Sequence, residues 1–217
     1  RMIERDKVAC IIGEISSASC LTIAQVATRN KTLFINTGGN SDALRGKDCQ
    51  RYMFHVESQN SMYVKTVGRS FLRDGLVKGK KWYSLTADYA FGHDLLKVSK
   101  RFMEANGGNF AGDDLVPTDA TDFSAYLLKI REAKPDLVVI NLAGNQITNF
   151  LKQYAEFGLT FPVGGFGFDT ALAWAAGKGN FVGTWPVVWH HLIDTPGTKA
   201  FVGAFTKKYN KTPENQA

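Results

Sequence analysis

Four polar turns in this chain have the residue types and spacing to hold a small molecule. The first is Gly13-Glu14-Ile15-Ser16-Ser17-Ala18-Ser19, where hydroxyls stand at the start of a helical pattern. A helix beginning there leaves backbone N–H groups unpaired beside a positive dipole end, which suits a carboxylate, although Ser16 or Ser17 can equally serve as a plain helix cap. The second is Asn36-Thr37-Gly38-Gly39-Asn40-Ser41, whose glycines let backbone approach closely. The third is Asn141-Leu142-Ala143-Gly144-Asn145. The fourth, Gly164-Gly165-Phe166-Gly167-Phe168-Asp169-Thr170, puts aromatic rings and one carboxylate together. A further segment, Asp88-Tyr89-Ala90-Phe91-Gly92, adds two more rings at the start of another helical pattern. This is hydrogen-bonding and stacking chemistry. It points to a protein that holds something rather than one that transforms it.

Other chemistries find little support. The glycine-rich fourth turn lacks the G-x-G-x-x-G spacing and the Lys-Ser/Thr of phosphate loops. No G-x-S-x-G elbow occurs, and no serine has a suggestive His and Asp partner pattern. His190-His191 reads as an ordinary pair, because neighbours on an extended chain point to opposite faces. The three cysteines, Cys10, Cys20 and Cys49, form no C-x-x-C and have no histidine at zinc spacing. Cys10 reads as a small core residue; Cys20 and Cys49 are available to pair in an oxidising compartment. No metal and no cofactor is expected. Net charge is +6, with the densest basic run at Lys78-Gly79-Lys80-Lys81. Aromatic residues do not interleave with those lysines as single-strand binding requires, so no nucleic-acid partner is expected.

Stepping outward from the turns, each follows an apolar run and precedes an amphipathic one. Strands are predicted at Val8 to Ile12, Leu33 to Ile35, Trp82 to Leu85, Leu137 to Ile140, Pro162 to Phe168 and Trp185 to Trp189. Helices are predicted near 17–30, 60–74, 91–106, 122–133, 146–157 and 197–209; Phe91, Leu95, Val98 and Phe102 form one clear stripe. Strands that are apolar throughout are buried on both faces, and the alternation with helices predicts an α/β fold of doubly wound, mainly parallel sheets with right-handed crossovers. Ligands bind such sheets at the carboxyl ends of the strands, where these turns lie. The stretch Arg51 to Ser58 is less regular and can open a second sheet; residues 57–59 read as a crossover. With 217 residues, 44% of them hydrophobic, the chain can bury a core, and no apolar run approaches the ~20 residues of a membrane span. Residues 1–6 read as the last turns of a helix and 213–217 as a loop entering another element, so an export signal can precede residue 1 in a longer protein.

In order along the chain, Val8 to Gly13 with its serine turn, Leu33-Phe34-Ile35-Asn36, Gly46-Lys47-Asp48-Cys49, Thr86 to Gly92, Ala105-Asn106-Gly107-Gly108, Thr121-Asp122-Phe123-Ser124 and Ala155-Glu156-Phe157-Gly158 resemble the type 1 periplasmic solute-binding proteins of ABC importers, in the branched-chain amino-acid-binding (Leu/Ile/Val-binding) branch. The resemblance implies two lobes, each a doubly wound sheet, closing on a ligand in the cleft between them. It implies lobe one at 1–57 plus 191–217, incomplete at both ends, and lobe two at 58–190. It places Ser16, Ser17, Thr37, Gly38 and Asn40 on the ligand's carboxylate and amine from lobe one, and Tyr89, Phe91, Asn141, Phe166 and Asp169 on the remainder from lobe two. Family members that bind amino acids often carry Thr where Asn40 stands and a carboxylate near Phe166; here Asp169 is the nearest acid. The implied ligand is therefore a small carboxylate, either an amino acid or an aromatic or apolar acid. The implied partner is a membrane permease, and the implied setting is a periplasmic monomer, lipid-anchored where the source has no outer membrane. A ligand sensor of the same fold is the alternative; an enzyme on a doubly wound sheet would need a clustered acid, base or nucleophile that the strand ends do not supply.

Overall fold

In the computed structural model, which describes residues 1–167, 170–177 and 179–215, the chain forms two separate parallel sheets. The first has the order β1 (Cys10–Gly13), β2 (Leu33–Asn36), β3 (Met53–His55). The second has the order β5 (Asn109–Val116), β4 (Lys81–Ala87), β6 (Leu137–Asn141), β7 (Val163–Gly165). Helix α1 (Ser17–Arg29) joins β1 to β2, and a 3₁₀ turn at Asp42–Arg45 lies between β2 and β3. Helix α2 (Asn60–Arg73) carries the chain from one sheet to the other. Helices α3 (Ala90–Ala105), α4 (Ser124–Ala133) and α5 (Asn145–Glu156) connect the strands of the second sheet, followed by α6 (Thr170–Ala176) and α7 (Pro196–Tyr209).

The second sheet has helices on both faces, as the burial of its central strands β4 and β6 on both sides requires. Leu137 and Val139 of β6 point, with Trp82 of β4, towards Val64, Val67 and Phe71 of α2 and Leu95 and Met103 of α3. Val138 and Ile140 point the other way, towards Leu127 and Ile130 of α4 and Ile147, Phe150 and Leu151 of α5. Each such side chain, taken fully from water, contributes about 1.5–3 kcal/mol, so this double layer is the stable body of the fold. On the first sheet the small residues Cys20, Ala24 and Ala27, at i, i+4 and i+7 on α1, let the helix lie close over Phe34. The opposite face presents Ile12 and Phe54 to solvent.

Several predicted elements differ. Asn109–Val116 was not anticipated as a strand: its Gly112-Asp113-Asp114 reads as a turn, but at the sheet edge only alternate residues need burial. The stretch near residue 53 contributes β3 to the first sheet rather than opening the second. The last expected strand, Trp185 to Trp189, is not one; the region pairs only through an isolated bridge between Gly164 and Thr184, while Trp185 packs its ring on Phe181 at 5.1 Å. Of the strand expected over Pro162 to Phe168, residues 163–165 form β7, Pro162, Phe166 and Gly167 lie outside it and Phe168 is outside the described residues; the short α6 has no counterpart among the expected elements. Residues 2–6 form turns rather than a helix, closed by Arg5 N–H donating to Arg1 O at 2.8 Å. His190 and His191 do not face apart: their ring centroids are 4.2 Å from each other, since the backbone there is not extended strand. All three cysteines are free thiols; Cys20 is buried under α1 and Cys49 is exposed, so the two do not pair.

Candidate ligand cleft

The carboxyl ends of β1 and β2 carry the first two turns. Gly13 and Glu14 have positive φ, which turns the chain sharply out of β1. The Glu14 carboxylate then accepts hydrogen bonds from the N–H groups of Ile15 and Ser16, both at 2.9 Å. Ser16 is the N-cap of α1, its hydroxyl accepting from Ser19 N–H at 3.5 Å. Ser17 is fully buried and its hydroxyl accepts from Ser41 N–H at 3.1 Å. Of the two serines, then, the first caps the helix and the second bolts the β1 turn to the β2 turn.

That second turn is organised by Asn36, a residue the sequence reading quoted but did not single out. Fully buried at the end of β2, its carbonyl oxygen accepts from Gly38 N–H at 3.1 Å and Gly39 N–H at 2.8 Å, while its amide donates to Gly39 O at 3.0 Å. Thr37, at the turn's tip, is exposed. Gly38 is needed for close approach: a Cβ there would lie 3.1 Å from both Glu14 O and Ile15 Cα. Asn40 is already engaged. Its amide donates to Ser58 O at 2.7 Å and its carbonyl accepts from Asn60 N–H at 2.8 Å, tying the turn to the start of α2.

Across from these turns, β4 ends at Ala87, and Asp88 and Tyr89 lead into α3. Asp88 pairs with His93 at 2.8 Å and braces the turn. Gly92 permits the tight entry, since a Cβ there would overlap Ala87 O. Tyr89 is the N-cap of α3 but makes no side-chain cap, so the first N–H groups of that helix lack a side-chain acceptor at the cap. Its half-buried ring lies 5.8 Å from that of Phe91, and burial raises its phenol above the ordinary range. Helix α5 likewise starts without a side-chain cap, after Gly144 at φ +55°.

Three expected ligand contacts sit deeper than a cleft surface. Phe166 is fully buried, its ring set edge-on to Phe71 at 6.4 Å and tilted against Trp82 at 6.5 Å. Although it directly follows β7, its ring turns inward onto the α2–α3 side of the sheet. Phe91 faces the same core, where α3 lays its apolar stripe on the sheet. Asn141, the last residue of β6, is fully buried; its amide donates to Thr86 Oγ1 at 3.3 Å and its carbonyl oxygen has no partner. Asp169 and its neighbour Phe168 lie outside the described residues. The expected residues that reach solvent are thus Ser16, Thr37, Gly38, Asn40 and Tyr89.

Two features escaped the sequence reading. Ile15 projects from the serine turn with 78% of its surface exposed, an apolar wall beside Gly38. The signal was present, since a branched apolar residue is out of place in a polar turn. Asp94 of α3 accepts from Asp42 N–H at 2.7 Å and from the Asn60 amide at 2.8 Å. No local pattern foretells partners 52 and 34 residues away.

This set of groups can hydrogen-bond and enclose; a nucleophile is harder to find in it. The Cys20 thiol, next to Asn36, is pushed up to about 11 by burial and then by the Glu14 charge, which leaves it protonated near neutrality. Among the described residues no cluster of His, Cys, Asp and Glu is arranged to hold a metal ion, and no helix is long and apolar enough to cross a membrane.

Comparison with known proteins agrees with this architecture. The profile of a periplasmic binding protein family matches residues 1–217. The chain is 24% identical over 238 aligned positions to Leu/Ile/Val-binding protein homolog 7 of Brucella abortus, covering 99% of this chain and 57% of that protein. A crystal structure of a periplasmic binding protein from Burkholderia mallei superposes with a TM-score of 0.89 at 28% identity, covering 99% of this chain and 57% of that one. A solute-binding protein of an ABC transporter from Rhodopseudomonas palustris, solved in complex with 3,4-dihydroxybenzoic acid, superposes with a TM-score of 0.84 at 26% identity, covering 99% and 59%. The chain spans little more than half the length of the relatives it matches. With two parallel sheets flanked by helices and a profile match from end to end, the chain belongs to the periplasmic binding protein family.

Proposed function

We propose that this chain is the greater part of an extracytoplasmic substrate-binding component of an ABC importer, which captures a small carboxylate by closure of two lobes and hands it to a membrane permease without transforming it. The lobes are residues 1–57 plus 191–217 and residues 58–190. The observation that carries the reading is the pair of sheets whose strand carboxyl ends bear the serine turn, the Asn36 turn and the uncapped start of α3. Open parallel sheets take ligands at those ends, and periplasmic binding proteins are a known case of hinge closure. Ser16, Thr37 and Gly38 offer hydroxyl and backbone groups to a carboxylate. Ile15 and Tyr89 offer apolar surface to the rest of the solute. Ser17 and Asn40 act behind them as braces. Besides the bonds of Asn40 to Ser58 and Asn60, a contact crosses the assigned boundary at its other end: Asn215 accepts hydrogen bonds from the Thr170 N–H and hydroxyl, both at 2.9 Å. This contact, with the passage of the chain at 56–59, fits lobes joined at more than one place.

An aromatic acid is favoured over an amino acid. Near the site the accessible apolar groups are the Tyr89 ring and Ile15, while Phe166 stands in the core where an amino-acid binder of the family carries an acid. The test is calorimetry with leucine, benzoate and 3,4-dihydroxybenzoate, followed by mass spectrometry of the recovered probe. Binding of an acid that returns chemically unchanged is the expected result. Conversion of the probe, or no heat and no thermal shift with any of the three, sinks the proposal.

A further inference from the structure

We propose that Asp94 is a positioning residue: a pin between the two sheets that fixes how the two halves of the cleft meet. Asp94 belongs to α3, on the second sheet. Its Oδ2 accepts from the N–H of Asp42, the first residue of the 3₁₀ turn on the first sheet, at 2.7 Å. The same oxygen accepts from the amide of fully buried Asn60, the first residue of α2, at 2.8 Å. The ring closes because Asp42 Oδ1 accepts from Ser61 N–H at 3.0 Å. It continues towards the cleft on both sides. Next to Asp42, Ser41 N–H donates to Ser17 at 3.1 Å; next to Ser61, Asn60 N–H donates to Asn40 O at 2.8 Å.

The physical argument concerns degrees of freedom. Between β3 and α2 a single stretch of chain, 56–59, passes from one sheet to the other. A chain crossing of this kind tethers the sheets but leaves them free to twist as well as to swing. A ring of hydrogen bonds beside it, joining α2, α3 and the 3₁₀ turn, removes the twist and leaves the swing. A carboxylate suits the task, because one ionised oxygen holds two donors from two different elements and charge-assisted bonds are roughly twice as strong as neutral ones. The groups displaced when the pin fails are the Ser17 brace and the Asn40 turn, so the first-sheet half of the cleft would lose its fixed position relative to Tyr89.

The ligand arm of the test rests on the function proposed above; the other arm does not. Spin labels on Gln25→Cys of α1 and Glu132→Cys of α4, both exposed, report the distance between the halves in a background carrying Cys10→Ser and Cys49→Ser. Asp94→Ala is expected to broaden that distance distribution and to weaken benzoate or 3,4-dihydroxybenzoate binding about tenfold, the scale of one net hydrogen bond lost from the arrangement. Asp94→Asn keeps an oxygen for both donors while losing the charge, and is expected to fall between, which also covers the case of an unstable alanine variant. A purely structural residue would lower the melting temperature and leave the distances alone. Wild-type distance distributions in both variants overturn the pin. If wild-type protein binds none of the probes, the functional reading falls by itself and the label measurement still decides.

Discussion

Replacing Ser17 by alanine separates bracing from direct ligand contact. Ser17 is fully buried and its hydroxyl is the acceptor for Ser41 N–H at 3.1 Å. Ser41 is itself buried, so the alanine variant leaves a backbone donor without an acceptor and without water to replace it. Such an orphaned group costs about 1–3 kcal/mol, whereas the lost oxygen leaves too small a void to add much. The expected loss of unfolding free energy is therefore about 1–2 kcal/mol, read by urea denaturation as a lower midpoint at unchanged slope. Ser16→Ala is the internal control. Its cap bond is long, at 3.5 Å, and on the half-buried surface, so it should cost about 0.5–1 kcal/mol of stability at most. The order of the two variants should reverse in binding: Ser16→Ala removes a half-buried hydroxyl that the proposed function gives to the ligand, while Ser17→Ala would act on the ligand only through the Ser41 turn. Ser17→Ala with wild-type stability and the larger loss of affinity would refute the assignment of Ser17 as a brace.

Gly38→Ala should destabilise by about 1–2 kcal/mol, because the new methyl meets backbone atoms of Glu14 and Ile15 at 3.1 Å that cannot swing aside as a side-chain tip would; equilibrium unfolding measures it. Phe166→Ala should cost about 3–5 kcal/mol through the cavity left between Phe71 and Trp82, and Tyr89→Ala much less, yet Tyr89→Ala should lose more ligand affinity once both are assayed where they are folded; the reverse pattern would return Phe166 to the site. Cys49 should react with a thiol reagent at neutral pH while Cys20 stays protected in the native state. The Cys20 thiol is raised from 9.0 to about 11 on folding, so between those values the unfolded chain holds fewer protons than the folded one. Its contribution to stability accordingly falls as pH rises from 9.0 to about 11, and Cys20→Ala should flatten that part of a stability–pH curve.

The parts of the fold that were legible from sequence are those decided locally. A strand buried on both faces must be mostly apolar, and β6 with Leu137 to Ile140 and β4 with Trp82, Tyr83 and Leu85 announce themselves by that. A helix laid on such a sheet shows its stripe, as α3 and α5 do. Strand β5 was hidden because an edge position relaxes the requirement, so Asp113 and Asp114 can sit in a strand by facing Lys100 at 2.7 Å and Lys129 at 2.6 Å. The turns of the site were legible for the same local reason: a helix start needs acceptors and a tight turn needs glycine. What each turn residue does was not, because its partner comes from another turn. Nothing in the serine segment says that Ser17 faces Ser41 while Ser16 faces Ser19. Nothing in Ala90 to Asp94 says that the acid at its end reaches Asp42. Polar residues at strand ends thus divide into those that meet solvent and those that hold the turns to one another. For Ser17, Asn36, Asn40 and Asp94 the second task is satisfied by partners that the chain supplies itself. On the proposed reading, a ligand would therefore find its hydrogen bonds chiefly at backbone groups and at hydroxyls such as those of Ser16 and Thr37, held in place by side chains it does not touch.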